Sequence, residues 1–454
     1  MTSLQPATGS ASPAAVAVLP PEVLRARRER LLAAIGDGVA VFCAAPEHLK
    51  SRDTDVRYRP DSDLWYLTGF AEPGTVAVLT PHDGEARLTL FVRPRDPERE
   101  TWTGRRAGVE GAIERFAADA AHSIDELDEL LPKLLEPADA IWYSLGANAA
   151  MDARIIKQLG KFRSSRPRGG KGPWDVRDPA ALMDRWRLVK EEGEIERIRA
   201  ACDLSAKAHL AAMRATRDGV GEWEVESVLD STYRRAGGWG PSFPSIVGSG
   251  VNATILHYTT NDCVLRDGDA VLVDSGAELA MYCGDITRTY PVSGRFTPTQ
   301  REVYDIVLAA EEAAIAVVRP GAAFSEIHDA AVRVLTEGLV RLGVLEESVD
   351  EAIESAAYKR FYMHQTSHWL GLDVHDAGPY RERDGTWLAL EPGMVLTVEP
   401  GLYFPVEDDV PEALRGLGIR IEDDVLVTAE GYEILTRGVP VAADEVEALL
   451  VAAR

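Results

Sequence analysis

Hydrophobic and polar positions along this chain repeat with two periods, one suited to helices and one to strands. After a run rich in Ala, Ser, Thr and Pro over residues 1–20, Pro-Pro-Glu opens a stretch with leucines at 24, 31 and 32 among charges. That spacing predicts a helix over 21–35. Three β-branched runs bounded by Gly, Pro or Asp follow, GVAVFC (38–43), TVAVLT (75–80) and ARLTLFV (86–92), and each predicts a strand. Helical patterns at 109–118 and 124–135 alternate with a further short strand at 140–144, so this part reads as an α/β domain of mixed order. The segment SSRPRGGKGPWDVRDP (164–179) is dense in Pro, Gly and Arg and marks a boundary.

Beyond it the pattern changes. One long helix is expected over 180–214 and another over 222–236, then two amphipathic helices at 299–318 and 325–342 separated by Pro320-Gly321. Strands are expected at AVLVDS (270–275), at DITRTYPV (285–292) after a turn near 276–279, at MVLTVE (394–399) and at IRIEDDVLV (419–427). Two helix pairs on mostly antiparallel strands make an α+β domain. The expected organisation is a disordered tail (1–20), an α/β domain (21–178) and an α+β domain (179–454).

Composition narrows the function. A length of 454 residues exceeds one ordinary core, in keeping with two domains. The net charge of -24 argues against nucleic acid or an anionic membrane as partner. Cys43, Cys202, Cys263 and Cys283 show no C-x-x-C spacing, which fits free thiols in a reducing cytosol better than a disulfide scaffold or a thiolate zinc site. No apolar run reaches the length of a membrane span, and the tail lacks the basic start of a signal peptide. A cytoplasmic protein is expected.

The candidate chemistry lies in Asp274, Asp285, His368, Glu399 and Glu422. Four carboxylates and an imidazole buried together would repel one another and lose hydration, at about several kcal/mol each. Two divalent cations relieve both costs, and an oxygen-rich set with one nitrogen suits manganese, cobalt or zinc. Such a pair activates a water for hydrolysis. Each residue alone has an ordinary explanation: an Asp at a strand end is most often a turn former. Asp274, however, follows Ala-Val-Leu-Val without a break, and so apolar a strand buries its end. Adjacent antiparallel strands joined by a simple turn would place Asp285 opposite it. MHQTSHWLGLDVHDAG (363–378) brings His364, His368 and His375 into one Gly-punctuated stretch, without the H-E-x-x-H of zincins. In GIRIEDD (418–424), Arg420 and Glu422 share a strand face opposite Ile419 and Ile421.

Taken jointly, LWYLTGF (64–70), IVGSG with ILHY (246–258), VDSGAE with GDITRTYPVSG (273–294), the histidine stretch, TVEPGLY (397–403) and GIRIEDDVLVT (418–428) resemble the creatinase/aminopeptidase family, within it the aminopeptidase P group. The resemblance implies a creatinase-like α/β N-terminal domain and a pita-bread α+β catalytic domain. It makes Asp274, Asp285, His368, Glu399 and Glu422 the ligands of two divalent ions, manganese first and cobalt or zinc as alternatives, with Asp285 and Glu422 bridging. It also implies hydrolysis of the Xaa-Pro bond by attack of a metal-bridged hydroxide, releasing the first residue of peptides with proline second. His257 and His375 are implied to contact substrate and stabilise the oxyanion, with Glu399 moving the proton. His364 would bind substrate, while Arg420 and Tyr403 would orient Asp274. Trp102, with Arg105, would reach a neighbouring subunit's site in a dimer or tetramer. The chain departs from the family at Gln365-Thr366, beside the first histidine of the triplet. The alternative is a prolidase, which takes only Xaa-Pro dipeptides. A non-catalytic binding module of the same fold is disfavoured by the intact ligand set.

Overall fold

In the computed structural model the described residues are 19–82 and 85–454. The tail expected over 1–20 falls outside them through residue 18. The chain divides into two compact units, one ending at Asp184 and the other running from Arg185 to Arg454.

The N-terminal unit is built on a six-stranded mixed sheet. Its order is Ala120–Ser123, Glu85–Val92, Val76–His82, Val39–Cys43, Ala140–Trp142 and Asp175–Arg177. The three central strands pair antiparallel and the outer ones parallel. Its core gathers Val39, Val41, Val78, Phe91, Leu131, Ile141 and Ile155. The Pro/Gly/Arg-rich stretch read as a boundary thus contributes an edge strand, Asp175–Arg177, which follows Trp174 N–H donating to Asp139 O (2.8 Å).

The helix expected over 180–214 is two, Ala180–Leu188 and Glu192–Ala215. The break has a cause outside local propensity: Val189 bridges Met394 and Lys190 N–H donates to Gly393 O (2.9 Å). Glu192–Ala215 buries Ile195, Ile198, Cys202, Ser205 and His209 at spacings of three and four. Phe324–Arg341 does the same with Phe324, Ile327, Ala331, Leu335 and Leu339. Each fully buried Leu or Ile contributes about 1.5–3 kcal/mol of transfer free energy before entropy is counted. Pro298–Ala316 starts from a capping box, with Gln300 N–H on Thr297 Oγ1 (3.2 Å) and Thr297 N–H on Gln300 Oε1 (3.0 Å).

These helices cover small antiparallel sheets. One orders Ile246–Ser249, Ala270–Asp274 and Thr287–Pro291, and another orders Val395–Val398, Asp423–Val427 and Tyr432–Ile434. A two-stranded pair, Gly401–Tyr403 with Gly418–Arg420, lies between the latter strands in sequence. The single strand expected over 419–427 is therefore two strands in different sheets. They part at Ile421–Glu422, where Glu422 N–H donates across to Thr287 O (3.1 Å). That junction delivers Glu422 to the site. Among the described residues no helix is long and apolar enough to cross a membrane, and all four cysteines are free.

Candidate metal centre

Asp274 closes a strand whose five positions are all buried, as its apolar run predicts. The expected register is corrected: Asp274 lies opposite Thr287, not Asp285. The intervening residues form a hairpin of Ala277–Leu279 and Tyr282–Cys283 in a different sheet rather than a simple turn. Asp285 consequently precedes its strand, tied by its N–H to Asp424 Oδ2 (2.9 Å), yet its carboxylate still reaches the centre.

The histidine stretch is extended rather than helical. Thr397 N–H donates to His368 O (3.0 Å), Leu370 N–H to Val395 O (3.0 Å) and Glu399 N–H to Thr366 O (2.8 Å). This ladder sets His368 beside Glu399. His368 Nδ1 donates to Trp369 O (3.1 Å), which leaves Nε2 free, 3.6 Å from Asp285 Oδ2 and 3.7 Å from Glu399 Oε1. Those gaps are too long for hydrogen bonds. Ligand atoms of Asp285, His368 and Glu422 all lie within 4.8 Å of one another, a spread suited to a shared cation with bonds of about 2.1 Å.

Electrostatics point the same way. Burial, then the neighbouring acids Asp274, Asp424 and Glu399, holds Asp285 well above the ordinary carboxylate range. Burial followed by Asp285, Glu399 and Asp274 does the same to Glu422. Burial also pushes Glu399 up to about 7 against the opposing pull of His368 and Arg420. Two buried oxygens, Asp274 Oδ1 and Asp285 Oδ1, have no hydrogen-bond partner. Four clustered carboxylates, a free imidazole nitrogen and two orphaned acceptors fit divalent cations.

Behind the cluster runs a directed chain of hydrogen bonds. Arg420 donates through Nη2 to Asp274 Oδ2 (2.6 Å) and through Nη1 to the Tyr403 hydroxyl (3.0 Å). That hydroxyl lies 2.8 Å from His364 Nε2, while His364 Nδ1 donates to Gln365 O (2.8 Å). Nε2 must therefore accept from Tyr403. The ring is held neutral because burial, then Arg420, pushes its pKa down to about 3. Both nitrogens of His364 are thus engaged within the protein. Tyr403 is 1% exposed and meets the site through His364 and Arg420.

A cavity of about 700 Å³ includes His257, His364, Gln365, His368, His375 and Glu399 in its wall, together with the apolar Phe324, Tyr380 and Trp387. A second of about 320 Å³ shares His257, His375 and Glu399 and reaches Asp285 and Glu422. The His375 ring stands edge-on to His368 with centroids 4.4 Å apart; burial, then His368 and His257, lowers its pKa. The structure therefore gathers all the expected site residues of the C-terminal unit. Trp102 belongs to the N-terminal unit, 88% exposed on the helix Pro97–Thr103.

Several neighbours escaped the sequence reading. Asp424 accepts from Asp285 N–H and from the Cys202 thiol (3.2 Å), and burial pushes it up to about 7. Thr287 Oγ1 donates to Glu422 Oε2 (2.6 Å). Thr366 is buried against His328 Nδ1 (2.8 Å) and the Tyr362 hydroxyl (2.6 Å). An uninterrupted Glu-Asp-Asp was the one available signal for Asp424; Thr366 was marked only as part of the Gln365-Thr366 departure, and Thr287 left none.

The family model of metallopeptidase family M24 matches residues 196–429, and that of the aminopeptidase P N-terminal domain matches residues 24–142. The chain belongs to metallopeptidase family M24. It is 44% identical to the Xaa-Pro aminopeptidase of Escherichia coli over 94% of this chain and 97% of that protein. The structure of a Pseudomonas aeruginosa aminopeptidase superposes with a TM-score of 0.93 at 46% identity, covering 96% of this chain and 99% of that one. A zinc-substituted E. coli aminopeptidase P in complex with product is similar at a TM-score of 0.93 and 43% identity, covering 96% and 100%. This M24 metallopeptidase therefore has an aminopeptidase P type N-terminal domain and a pita-bread catalytic domain. It is a hydrolase of peptides that uses divalent metal ions, and these relatives do not favour the prolidase alternative.

Proposed function

We propose that this enzyme removes the N-terminal residue from peptides carrying proline in second position, using two divalent ions held by Asp274, Asp285, His368, Glu399 and Glu422. The observation that supports it most is the carboxylate cluster with its orphaned oxygens, which lines a cavity of about 320 Å³ and through Asp274 and Glu399 also borders the larger, partly apolar one. When bound, the ions supply Lewis acidity, lowering the pKa of a water and polarising a carbonyl. Asp285 and Glu422, whose ligand atoms stand with that of His368 within 4.8 Å of one another, would be central to holding the ions.

The chain's own groups do the rest. Glu399 accepts the proton of the attacking water and returns it to the leaving nitrogen, which in an Xaa-Pro bond carries no hydrogen of its own. His257 and His375, both in the cavity wall, donate to the carbonyl oxygen as negative charge develops. His364 has both nitrogens engaged and presents its ring as a wall, kept in place by Tyr403. Arg420 fixes Asp274 and offsets part of the cluster's charge. The apolar stretch at Phe324, Tyr380 and Trp387 suits a proline ring and the chain beyond it. Manganese is the metal we assign, the cytoplasm the compartment, and a homo-oligomer the working form, in which Trp102, 88% exposed, would be available to a neighbouring subunit.

The test compares Xaa-Pro-Xaa, Xaa-Pro and Xaa-Ala-Xaa peptides with metal-stripped protein, before and after addition of manganese, cobalt or zinc. Metal-dependent release of the first residue from Xaa-Pro-Xaa is expected, fastest with manganese. Cleavage of the dipeptide alone would replace the reading with a prolidase, and equal cleavage of Xaa-Ala-Xaa would remove the proline specificity.

A further inference from the structure

Glu222, first residue of the helix Glu222–Arg235, is fully buried, and no cation pairs with it among the described residues. Its charge is instead met by donor groups of one segment. Oε1 accepts from Ser249 N–H (2.8 Å), Ser249 Oγ (2.7 Å) and Asn252 Nδ2 (3.4 Å). Oε2 accepts from Cys263 N–H (2.9 Å) and lies 3.0 Å from the Tyr258 hydroxyl, whose single proton also faces Asp262 Oδ1 (3.0 Å). A position at a helix start adds favourable dipole interaction. Asp262 and Cys263 adjoin Glu222 in a grouping of metal-ligand type. Its lone pairs are already taken by N–H and O–H donors, so the trio does not suit a cation.

The donors bracket His257. Ser249 and Asn252 precede it, Tyr258 adjoins it and Cys263 follows, while the ring itself makes no hydrogen bond or ion pair among the described residues. A ring without bonds of its own stands where its backbone puts it. We infer that Glu222 is a positioning residue for hydrolysis: it clamps the loop 249–263 and so sets where His257 stands in the cavity. The inference rests on reading His257 as a donor to the developing oxyanion.

Glu222→Gln replaces an acceptor oxygen with an NH2 group that must face N–H or O–H donors. The variant is expected to lower kcat about 10- to 100-fold, the scale of a roughly 1 Å misplacement, with KM changed by less than about threefold. In a His257→Ala background the same change should cost less than about threefold, because residues acting through one group are not additive. A purely structural role would cost the same factor in both backgrounds, and that result overturns the inference. Hydrogen exchange at the Ser249 and Cys263 amides supplies a readout free of substrate: faster exchange in Glu222→Gln is expected, and unchanged protection refutes the clamp. If the wild-type enzyme cleaves no Xaa-Pro peptide, the proposed specificity falls while exchange still decides the clamp. Should Glu222→Gln fail to fold, Tyr258→Phe removes one donor and carries the same paired comparison.

Discussion

Two clusters of buried charge in the catalytic unit differ in one respect. Around Asp376 the chain supplies both signs: Arg187 Nη2 lies 2.5 Å from Oδ1, Lys190 Nζ 3.1 Å from Oδ2, and Arg187 also meets Asp373 at 2.6 Å. Two acids face two bases, with the Arg187, Lys190 and Asp376 side chains at 6%, 1% and 1% exposure. Around Asp285 the burial is similar, but four carboxylates face one guanidinium, Arg420. A fold can bury charge when its own side chains balance it. Where they do not, the missing charge belongs to a ligand, and the imbalance marks the working site.

The largest expected break in this comparison is chemical. Glu399→Gln should lower kcat by about 10²- to 10⁴-fold, the loss of a positioned proton-transfer group. Steady-state kinetics at saturating metal reads it, and retention of more than about a tenth of kcat would remove Glu399 from that role. The Asp376 cluster should be untouched.

Metal removal sharpens the contrast through pH. In the metal-free protein burial pushes the Glu399 carboxyl up to about 7, above the ordinary carboxylate range, and Asp285 and Glu422 are also raised. The folded state then holds more protons than the unfolded one, so stability is fully present below the unfolded pKa and falls as pH rises through the folded value. Buried histidines with lowered pKa, such as His364, act in the opposite sense, so the check is the difference: the Tm of stripped protein should fall relative to that of loaded protein as pH rises from 5 to 8. Metal binding widens the gap over that range, because ligands must lose protons to bind. Calorimetry in both states reads this, and parallel trends would contradict the cation assignment.

Substitution separates the clusters further. Asp376→Ala takes the buried carboxylate from Lys190 and Arg187, leaving Arg187 its bond to Asp373, and should cost about 3–5 kcal/mol with or without metal. Asp285→Asn should do two opposite things: abolish metal-dependent activity and raise the Tm of stripped protein at pH 8, since it removes one of several repelling charges. Denaturation of both variants in both states reads the difference; a stripped Asp285→Asn protein less stable than wild type would mean the cluster is balanced after all.

How much of this was legible depended on whether the signal was local. Asp274 was readable because four apolar residues carry an acid into the interior, and Arg420 with Glu422 because Ile419 and Ile421 alternate with them. The histidine stretch was readable by density. The helix break at Val189–Lys190 was not, since it is made by Met394 and Gly393 some two hundred residues on. Nor was the offset of Asp285, which depends on a hairpin joining a different sheet. Asp424 and Glu222 are ordinary acids in sequence; burial and partners supplied from afar set them apart.

The smallest effect concerns the hydroxyl that joins Arg420 to His364. Tyr403 takes a bond from Arg420 and gives one to His364, so Tyr403→Phe leaves Arg420 Nη1 and His364 Nε2 without that partner. Arg420 keeps its 2.6 Å bond to Asp274 and its Nε bond to Thr287 Oγ1 (3.2 Å), so the guanidinium loosens without leaving. Metal affinity should fall by about tenfold, the low end for a group that orients a ligand. At saturating metal, kcat should change by less than about threefold, because neither Glu399 nor His257 has lost a partner. Titration of stripped Tyr403→Phe with manganese, followed by kinetics at saturation, reads both. If affinity holds while kcat collapses, Tyr403 serves the reaction directly, and the line between the charge cluster and its support has to be redrawn.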